Sequence, residues 1–513
     1  MRRKNGPNDD GFKEDEFQSI RISRSEDEAS RMDLSMKEEA AEAELSFIYA
    51  RYAFNRRKRR YRLLTTGASV VVGFCFLLAI FSSPKIESSK PEGSIPSHAE
   101  FELERTVFIP EYRADMSIYK HKKTKAPFVA FIPQDNFQDK VFGVGFRTLP
   151  SSNNGVAHIM EHSVLSGSEK YPAKDPFLHL LQGSLSTFLN AMTYNDRTLF
   201  PVASRNKKDF KNLMSVYLDA VFHPKCITDD GWWILKQEGW RYELADGIDY
   251  DSDKETGVLE IKGVVHSEMK GVYSNPEAVI SRQTDRLLYP DNPYHYDSGG
   301  DPTEISSLTF DEFKDFYHRH YHPTNSKMFV SGTAEDVEEA MVMIHDSLKD
   351  FGTDNQVAKN SKVKFQRKKF NHHLYHLQSY AVGKITGEGQ HMFCITWLLN
   401  DDFLSHKYEL ALYVLDYLLM GTNSAILYRK LLDSEFGTDV IGHGLDIGLL
   451  QTSFAVGMKG VKGSDIADLE EFIVELLKDI IDDGFPQEDL DAAMNSIEFQ
   501  VRFQTKFLNI FIS

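Results

Sequence analysis

The chain has 513 residues, of which 41% are hydrophobic, and a formal net charge of -17. That length and composition allow sizeable buried cores and roughly two to four domains. The acidic balance excludes the domain-wide positive field that binds a nucleic-acid backbone, so we expect no nucleic-acid partner. The three cysteines, Cys75, Cys226 and Cys394, are too few and too scattered for a disulfide framework or a thiolate metal site, so any metal would need histidine and carboxylate ligands.

The first 62 residues carry clusters of acidic side chains and little apolar periodicity, which predicts a disordered tail. Residues 63–81, LLTTGASVVVGFCFLLAIF, then run uncharged for about 28 Å of helix, close to the hydrocarbon thickness of a bilayer. This run predicts a single transmembrane helix that acts as a signal anchor. The basic stretch from Arg56 to Arg62 precedes it, so the positive-inside rule places the tail in the cytosol and the rest of the chain in a lumenal or extracytosolic space.

Two alternatives to the anchor start from the same apolar run. A cleaved signal peptide is less favoured, because the run begins only after residue 62 and is longer than the usual core of a signal peptide. A mitochondrial transit peptide fits the acidic tail poorly, because such peptides contain few acidic residues. We therefore expect a single-pass membrane protein, with a mitochondrial or plastid location as the alternative.

Past the predicted anchor, residues 82–100 are rich in Ser, Pro and charged side chains and predict a linker. Two apolar runs, APFVAFIP and KVFGVGFRTLP, predict neighbouring strands in a first module, residues 101–345. A polar linker at 346–369 leads to a second module at 370–505 with the same alternation of strands and helices, and residues 506–513 form a divergent C-terminal end. The predicted fold class is therefore α+β, with two tandem α/β modules behind the tail and the transmembrane helix.

The segment GVAHIMEHSVLSGS, residues 155–168, places two histidines four positions apart. His158 and His162 would share one face of a helix, and Glu161 would lie on the same side. Catalytic zinc typically takes three protein ligands and leaves one position open, and a nearby glutamate can serve as general base. This H-x-x-E-H pattern is the inverzincin signature. The alternative is a polar patch on an ordinary helix, since about 0.1 matches to H-x-x-[DE]-H are expected by chance in a chain of this composition.

A zinc site of this kind needs a third ligand. Downstream, IKGVVHSEMKGVYSNPE has a helical pattern and offers Glu268. Spacing alone does not choose it over Glu260 or Glu277, so all three stay open at this point.

Six blocks of the sequence, two of which overlap the segments just described, carry a resemblance. In order, content and spacing they resemble the presequence protease branch of the M16 (pitrilysin-like) metallopeptidases, with a match from about residue 105 to 505. The blocks are GVAHIMEHSVLSGSEKYPAKDPF, SLSTFLNAMTYNDRTLFPVAS, GVVHSEMKGVYS, YHYDSGGDP, HYHPTNSKMFVSG and LLQTSFAVGMKGV.

The resemblance implies a fold, a cofactor and site residues. It implies two M16-type (LuxS/MPP-like) α/β sandwich modules, the second inactive and forming a wall of the chamber, and one zinc ion per chain. By resemblance, His158, His162 and Glu268 match the zinc ligands and Glu161 the catalytic base. It also implies that Asn190 and Ala191, in the LNAMT segment, lie on an edge strand that pairs with the substrate backbone, as β-augmentation allows for any extended peptide.

The chain departs from the family in two respects. The family has two homologous halves, the second of which contributes an Arg and a Tyr near the zinc, and this chain resembles the N-terminal half only. Its N-terminus also predicts an anchor, whereas this branch is usually imported into mitochondria or plastids. We expect a zinc metalloendopeptidase that degrades short unfolded peptides, with a separate C-terminal half as a possible partner. The alternatives are a catalytically incompetent half that binds peptides or partners, and a membrane adaptor.

Overall fold

The computed structural model describes residues 95–110, 112–134, 139–173, 176–245, 258–370, 373–381 and 391–511. The predicted tail at 1–62, the predicted transmembrane helix at 63–81 and most of the first linker lie outside these residues. Two main sheets, a two-stranded ribbon and their helices make up most of the described part of the chain.

The predicted fold class is corrected where it includes a transmembrane helix. Within the described ranges, no helix combines the length and the apolar character needed to cross a bilayer. The apolar run at 63–81 lies outside those ranges, so the structure gives that helix no support. We therefore withdraw it from the fold class, which is mixed α/β.

The larger sheet has eight strands, in the order β1-β2-β3-β10-β4-β7-β5, and β6 also pairs with β7. Strand β10 runs parallel to β3 and antiparallel to β4. The prediction that the APFVAFIP and KVFGVGFRTLP strands are neighbours is therefore wrong, because β10 comes between them. The strands are β1 Phe101–Ile109, β2 Ala114–His121, β3 Pro127–Pro133, β4 Lys140–Arg147, β5 Ser186–Leu189, β6 Met192–Thr193, β7 Arg197–Ser204 and β10 Ser326–Ser331.

Helices pack on this sheet around the main apolar core. Strand β4 is buried along six successive residues and β7 along seven, as expected for inner strands of a covered sheet. The helices are α1 Val156–Val164, α2 Pro176–Gly183, α3 Lys207–Phe222, α4 Trp232–Glu238, α5 Val264–Tyr273, α6 Pro276–Leu288, α7 Phe310–His320, α8 Ala334–Leu348 and α9 Asn355–Asn360. Between α4 and α5, strands β8 (Arg241–Ala245) and β9 (Val258–Lys262) form a two-stranded ribbon.

Local sequence signals set several helix boundaries. Thr309 and Thr333 each form a capping box at the start of α7 and α8, so their side chains satisfy amide groups that the first helical turn leaves free. Asn206 caps α3 in a similar way through the amide of Asp209. These caps fix the residues at which the helices that cover the sheet begin.

The second sheet has three antiparallel strands and its own apolar core. Its strands are β11 His391–Leu398, β12 Asp439–Asp446 and β13 Ser453–Val461, and its helices are α10 His406–Met420, α11 Ile426–Asp433, α12 Ile466–Asp483 and α13 Gln487–Phe511. Hydrogen bonds tie this part to the first: the hydroxyl of Tyr289 donates to the carbonyl of Gln451, and the hydroxyl of Tyr294 accepts from the amide of Leu450.

Candidate metal centre

Helix α1 carries the H-x-x-E-H motif and begins directly after Gly155. Gly155 has a φ of 68°, in the left-handed region that glycine adopts without strain. A Cβ atom there would lie 2.8 Å from the carbonyl oxygen of Gly299, so the SGGDP turn packs against the start of the helix. The same carbonyl oxygen lies 3.3 Å from Nδ1 of His158. The glycine before the motif therefore lets this turn reach the first histidine.

The side chains of His158, His162 and Glu268 converge. The two imidazole rings lie on consecutive turns of α1 with their centroids 5.0 Å apart, as the i, i+4 spacing predicts. Helix α5 brings Oε2 of Glu268 to 3.6 Å from Nε2 of each histidine. One ligand atom from each of the three residues lies within 4.8 Å of the other two.

The fold separates Glu268 from the other two glutamates that spacing left open. Glu260 lies on β9 and forms an ion pair with Lys262, at 2.8 Å. Glu277 lies in the first turn of α6 and pairs with Lys459, also at 2.8 Å. Of the three carboxylates, the structure brings Glu268 to the histidines.

The donor set fits zinc. Two imidazole nitrogens and one carboxylate oxygen form a ligand set found in catalytic zinc sites, where metal–ligand distances of roughly 2.1 Å in a tetrahedron place neighbouring ligand atoms about 3.4 Å apart. The separations of 3.6 Å between Glu268 and each histidine are close to that spacing. The side chain of Glu268 is 54% exposed, against 17% for His158 and 24% for His162, so the cluster opens to solvent on the α5 side.

The far nitrogen of His162 faces a second carboxylate that the sequence analysis missed. Oε2 of Glu238, the last residue of α4, lies 3.6 Å from Nδ1 of His162. Burial lowers the pKa of His162, but Glu238, Glu161 and Glu268 together outweigh burial and raise it. Such an outer carboxylate fixes the orientation and tautomer of a metal-binding imidazole. No local sequence pattern marks Glu238, because α4 meets α1 only in the folded chain.

Glu161 lies on the inner side of α1 and is only 7% exposed. The hydroxyl of Thr193, on β6, donates a hydrogen bond of 2.6 Å to its Oε2 atom. Burial raises the pKa of the neighbouring Tyr217, and the negative charge of Glu161 raises it further. A buried carboxylate beside the histidine pair is well placed to exchange protons with a group held at the cluster.

Asn190 and Ala191 lie where strand β5 gives way to β6. Both short strands pair with β7, and β5 stands at one end of the sheet. The amide of Asn190 donates to the carbonyl of Pro201, and its own carbonyl accepts from the hydroxyl of Tyr217 at 3.2 Å. The segment predicted to pair with substrate is therefore an edge of the main sheet.

Comparison with known proteins assigns the family. Residues 141–230 match the insulinase family (peptidase family M16), and residues 307–497 match the domain described as the peptidase M16 inactive domain. The chain belongs to the M16 family. The match to the insulinase family contains the H-x-x-E-H motif.

Relatives of this M16 chain include two presequence proteases. The chloroplastic/mitochondrial presequence protease 1 of Arabidopsis thaliana is 43% identical, over 78% of this chain and 36% of that protein. The mitochondrial presequence protease of Danio rerio is 33% identical, over 79% of this chain and 38% of that protein. The chain thus spans little more than a third of the length of these curated relatives.

A solved structure has the same fold. The peptidase M16 inactive domain from Pseudomonas fluorescens aligns with a TM-score of 0.53 over 77% of this chain and 87% of that one, at 13% identity. At that identity the likeness shows the fold alone.

These comparisons also bear on location. Both presequence proteases are named for mitochondria or chloroplasts, and the described part of the chain contains no helix suited to cross a bilayer. We therefore correct the prediction of a single-pass membrane protein with a lumenal catalytic module.

Proposed function

We propose that this M16 chain is a zinc-dependent endopeptidase that cleaves short unfolded peptides. The observation that carries the proposal is the convergence of His158, His162 and Glu268 beside the buried carboxylate of Glu161. Two nitrogens and one oxygen supply three protein ligands, which is the number that a catalytic zinc site uses. The membership of the chain in a peptidase family supports the same chemistry.

Each residue at the site has a role in this proposal. His158, His162 and Glu268 hold the metal, and Glu238 keeps the His162 ring in place from its far side. When bound, zinc supplies Lewis-acid activation of water and of the peptide carbonyl. Glu161 accepts the proton of the attacking water and returns it to the leaving amine. Because Oε2 of Glu161 accepts from Thr193, we assign this proton to Oε1.

The edge at Asn190 and Ala191 supplies the binding mode. We propose that an extended peptide adds to the sheet beside β5 and β6, through main-chain hydrogen bonds that depend little on sequence. A folded protein rarely presents a free extended segment, whereas a short unfolded peptide does so readily. The substrate class is therefore set by chain conformation more than by side chains.

We also propose that the protein acts in a mitochondrion or plastid. The relatives that are 43% and 33% identical to it are named for those organelles. Import of a fluorescent fusion into isolated mitochondria and chloroplasts would test this location, and a fusion that enters neither organelle would contradict it.

The test of the enzymatic function combines metal content with hydrolysis. The purified chain should contain about one zinc per molecule by elemental analysis, and should cleave a quenched-fluorescent unstructured peptide. Removal of zinc with a chelator should stop cleavage, and added zinc should restore it. A chain that holds zinc and binds the peptide without cleaving it would instead be the catalytically incompetent subunit considered above.

A separate C-terminal half stays a prediction. The chain spans 36% of the Arabidopsis relative, so the contribution of the remaining length can be tested by adding it as a second polypeptide. If it supplies donors to the substrate carbonyl, cleavage should rise roughly 10²- to 10³-fold, the typical worth of one such donor. Zinc content should not change. Equal rates with and without the added polypeptide would contradict the prediction.

A further inference from the structure

We propose that Thr193 is a positioning residue for the catalytic base, and that Thr198 and Thr148 support it from behind. The inference rests on the function proposed above and deepens it, because it concerns how Glu161 is held. It starts from a hydrogen bond of 2.6 Å between the Thr193 hydroxyl and Oε2 of Glu161.

The three threonine hydroxyls form a row that ends at the carboxylate. Oγ1 of Thr198 lies 3.5 Å from Oγ1 of Thr193 and 2.7 Å from Oγ1 of Thr148. The side chains of Thr148 and Thr198 are completely buried. A hydroxyl has one proton to donate, and an ionised carboxylate can only accept. Thr193 therefore donates to Glu161, which leaves the Thr193 oxygen free to accept from Thr198.

Backbone hydrogen bonds position the three threonines. Thr193 on β6 is directly paired with Thr198 on β7. The turn between the strands is closed by a hydrogen bond of 2.7 Å from the amide of Tyr194 to the carbonyl of Arg197. The amide of Thr148 donates to the carbonyl of Asp196 in the same turn, at 3.0 Å. Strand pairing fixes the backbone of Thr193. Because threonine is also stiff about χ1, the direction of the Thr193 hydroxyl is fixed as well.

The bond matters because Glu161 is 7% exposed and has little water to solvate its charge. A buried carboxylate without a donor loses a charge-assisted hydrogen bond and is free to turn about its last torsion. With Oε2 fixed by Thr193, Oε1 keeps one direction relative to His158 and His162. Proton transfer requires this alignment, whereas peptide binding at the sheet edge does not.

This separation of roles predicts how the kinetic constants divide. In Thr193→Val, kcat should fall roughly 10- to 100-fold, which is part of the 10²–10⁴ that a positioned base typically contributes. KM and zinc content should stay within about twofold of wild type, because the metal ligands and the sheet edge are intact. Thr193→Ser keeps a hydroxyl and should recover most of the lost kcat.

A second role for Thr193 would give a different result. Thr193 lies two residues after Ala191, so the alternative role is to shape the edge that binds peptide, with no effect on Glu161. In that case Thr193→Val would raise KM and leave kcat unchanged, and the inference would be overturned. Thr106→Val is the matched control, because Thr106 also bonds a hydroxyl, that of Ser117 at 2.9 Å, on strand β1. It should leave both constants unchanged.

The experiment measures kcat, KM and zinc content for the full chain and these variants with the same unstructured peptide. If Thr193→Val fails to fold, Thr193→Ala and Thr193→Ser give the same comparison without added bulk. A zinc-loaded wild type that does not cleave would contradict the proposed function, whereas active wild type and equally active Thr193→Val would contradict only this inference. Crystal structures of the Val and Ser variants decide the point without turnover. A Glu161 carboxylate that keeps its wild-type orientation in Thr193→Val overturns the inference.

Discussion

Glu161 and His162 are adjacent in sequence but have different tasks in the proposed site. His162 points its Nε2 atom at Glu268, whereas Glu161 lies on the buried side of α1 and bonds Thr193. We therefore expect Glu161→Gln to keep its zinc and lose turnover, because an amide cannot accept the proton of water. His162→Ala should lose most of its zinc, because two ligands hold the metal poorly. Elemental analysis of both variants tests the assignment, and a zinc-free Glu161→Gln would reverse it.

The third ligand can be tested against its sequence neighbours. Glu268→Gln should weaken zinc binding strongly, since the substitution removes the carboxylate 3.6 Å from both histidines. Glu260→Gln and Glu277→Gln are matched controls, because each loses only an exposed ion pair with a lysine. Such pairs are worth about 0–1 kcal/mol to stability. Zinc affinity is measured by chelator competition titration. If either control variant bound zinc more weakly than Glu268→Gln does, Glu268 would not be the third ligand.

Glu238 should influence zinc through His162. Glu238→Gln removes the negative charge 3.6 Å from Nδ1 of His162 and leaves the shape of α4 unchanged. Loss of an outer carboxylate typically costs 10- to 100-fold in metal affinity, and we expect a loss in that range. Glu243→Gln, in the nearby ribbon, is the control, because Glu243 pairs with Arg241 and not with a histidine. Equal zinc affinity in the two variants would show that Glu238 does not influence the metal site.

At the residue scale, the sequence predicts what one helix contains and little of what other elements bring to it. The pairing of His158 and His162 follows from the i, i+4 spacing within α1. Spacing narrows the third ligand to three glutamates, and only the resemblance singles out Glu268. Glu238 and Thr193 reach the site from α4 and β6, and no local pattern records such contacts.

At the scale of elements, the edge made by β5 and β6 depends on α3 behind it. The hydroxyl of Tyr217, a fully buried side chain of α3, donates to the carbonyl of Asn190. Tyr217→Phe removes that hydrogen bond, and a bond of this kind typically contributes about 0.5–1.5 kcal/mol to stability. We expect KM for an unstructured peptide to rise several-fold while zinc content stays unchanged.

Tyr317→Phe is the control for this edge prediction. The Tyr317 hydroxyl also donates to a main-chain carbonyl, that of Val221, from a buried position on α7. Both variants should lower the melting temperature, but only Tyr217→Phe should change KM. A similar change of KM in both would assign the effect to general loss of stability.

The order of strands in the sheet is harder to predict than the strands themselves. The APFVAFIP run contains β3 and the KVFGVGFRTLP run contains β4, because β-branched and aromatic residues favour strands. Their pairing depends on β10, which enters between them from almost 180 residues further along the chain. Local periodicity carries no information on a partner so distant in sequence.

For the molecule as a whole, a half-buried acid, Asp285, lies at the join between the two main sheets. Burial, with the carboxylates of Asp446 and Asp297, raises the pKa of Asp285 to about 7, although Arg282 opposes the shift. Asp285 lies on α6 and Asp446 at the end of β12, so the repulsion between their carboxylates acts between the two parts of the chain. In the unfolded chain Asp285 has the ordinary aspartate pKa of 3.8.

The sign of the resulting pH dependence follows from linkage. The folded state binds the Asp285 proton more tightly than the unfolded state does, so its contribution to stability is fully present below about pH 4 and is lost as the pH rises to about 7. Asp285→Asn stays neutral throughout and avoids that loss. We expect the variant to match wild type in melting temperature near pH 4 and to exceed it increasingly up to about pH 7, with no further gain above. Asp346→Asn, on the exposed side of α8 beside Lys349, should show no such rise. A constant difference between Asp285→Asn and wild type across this range would show that Asp285 ionises normally and that the join between the two sheets tolerates its charge.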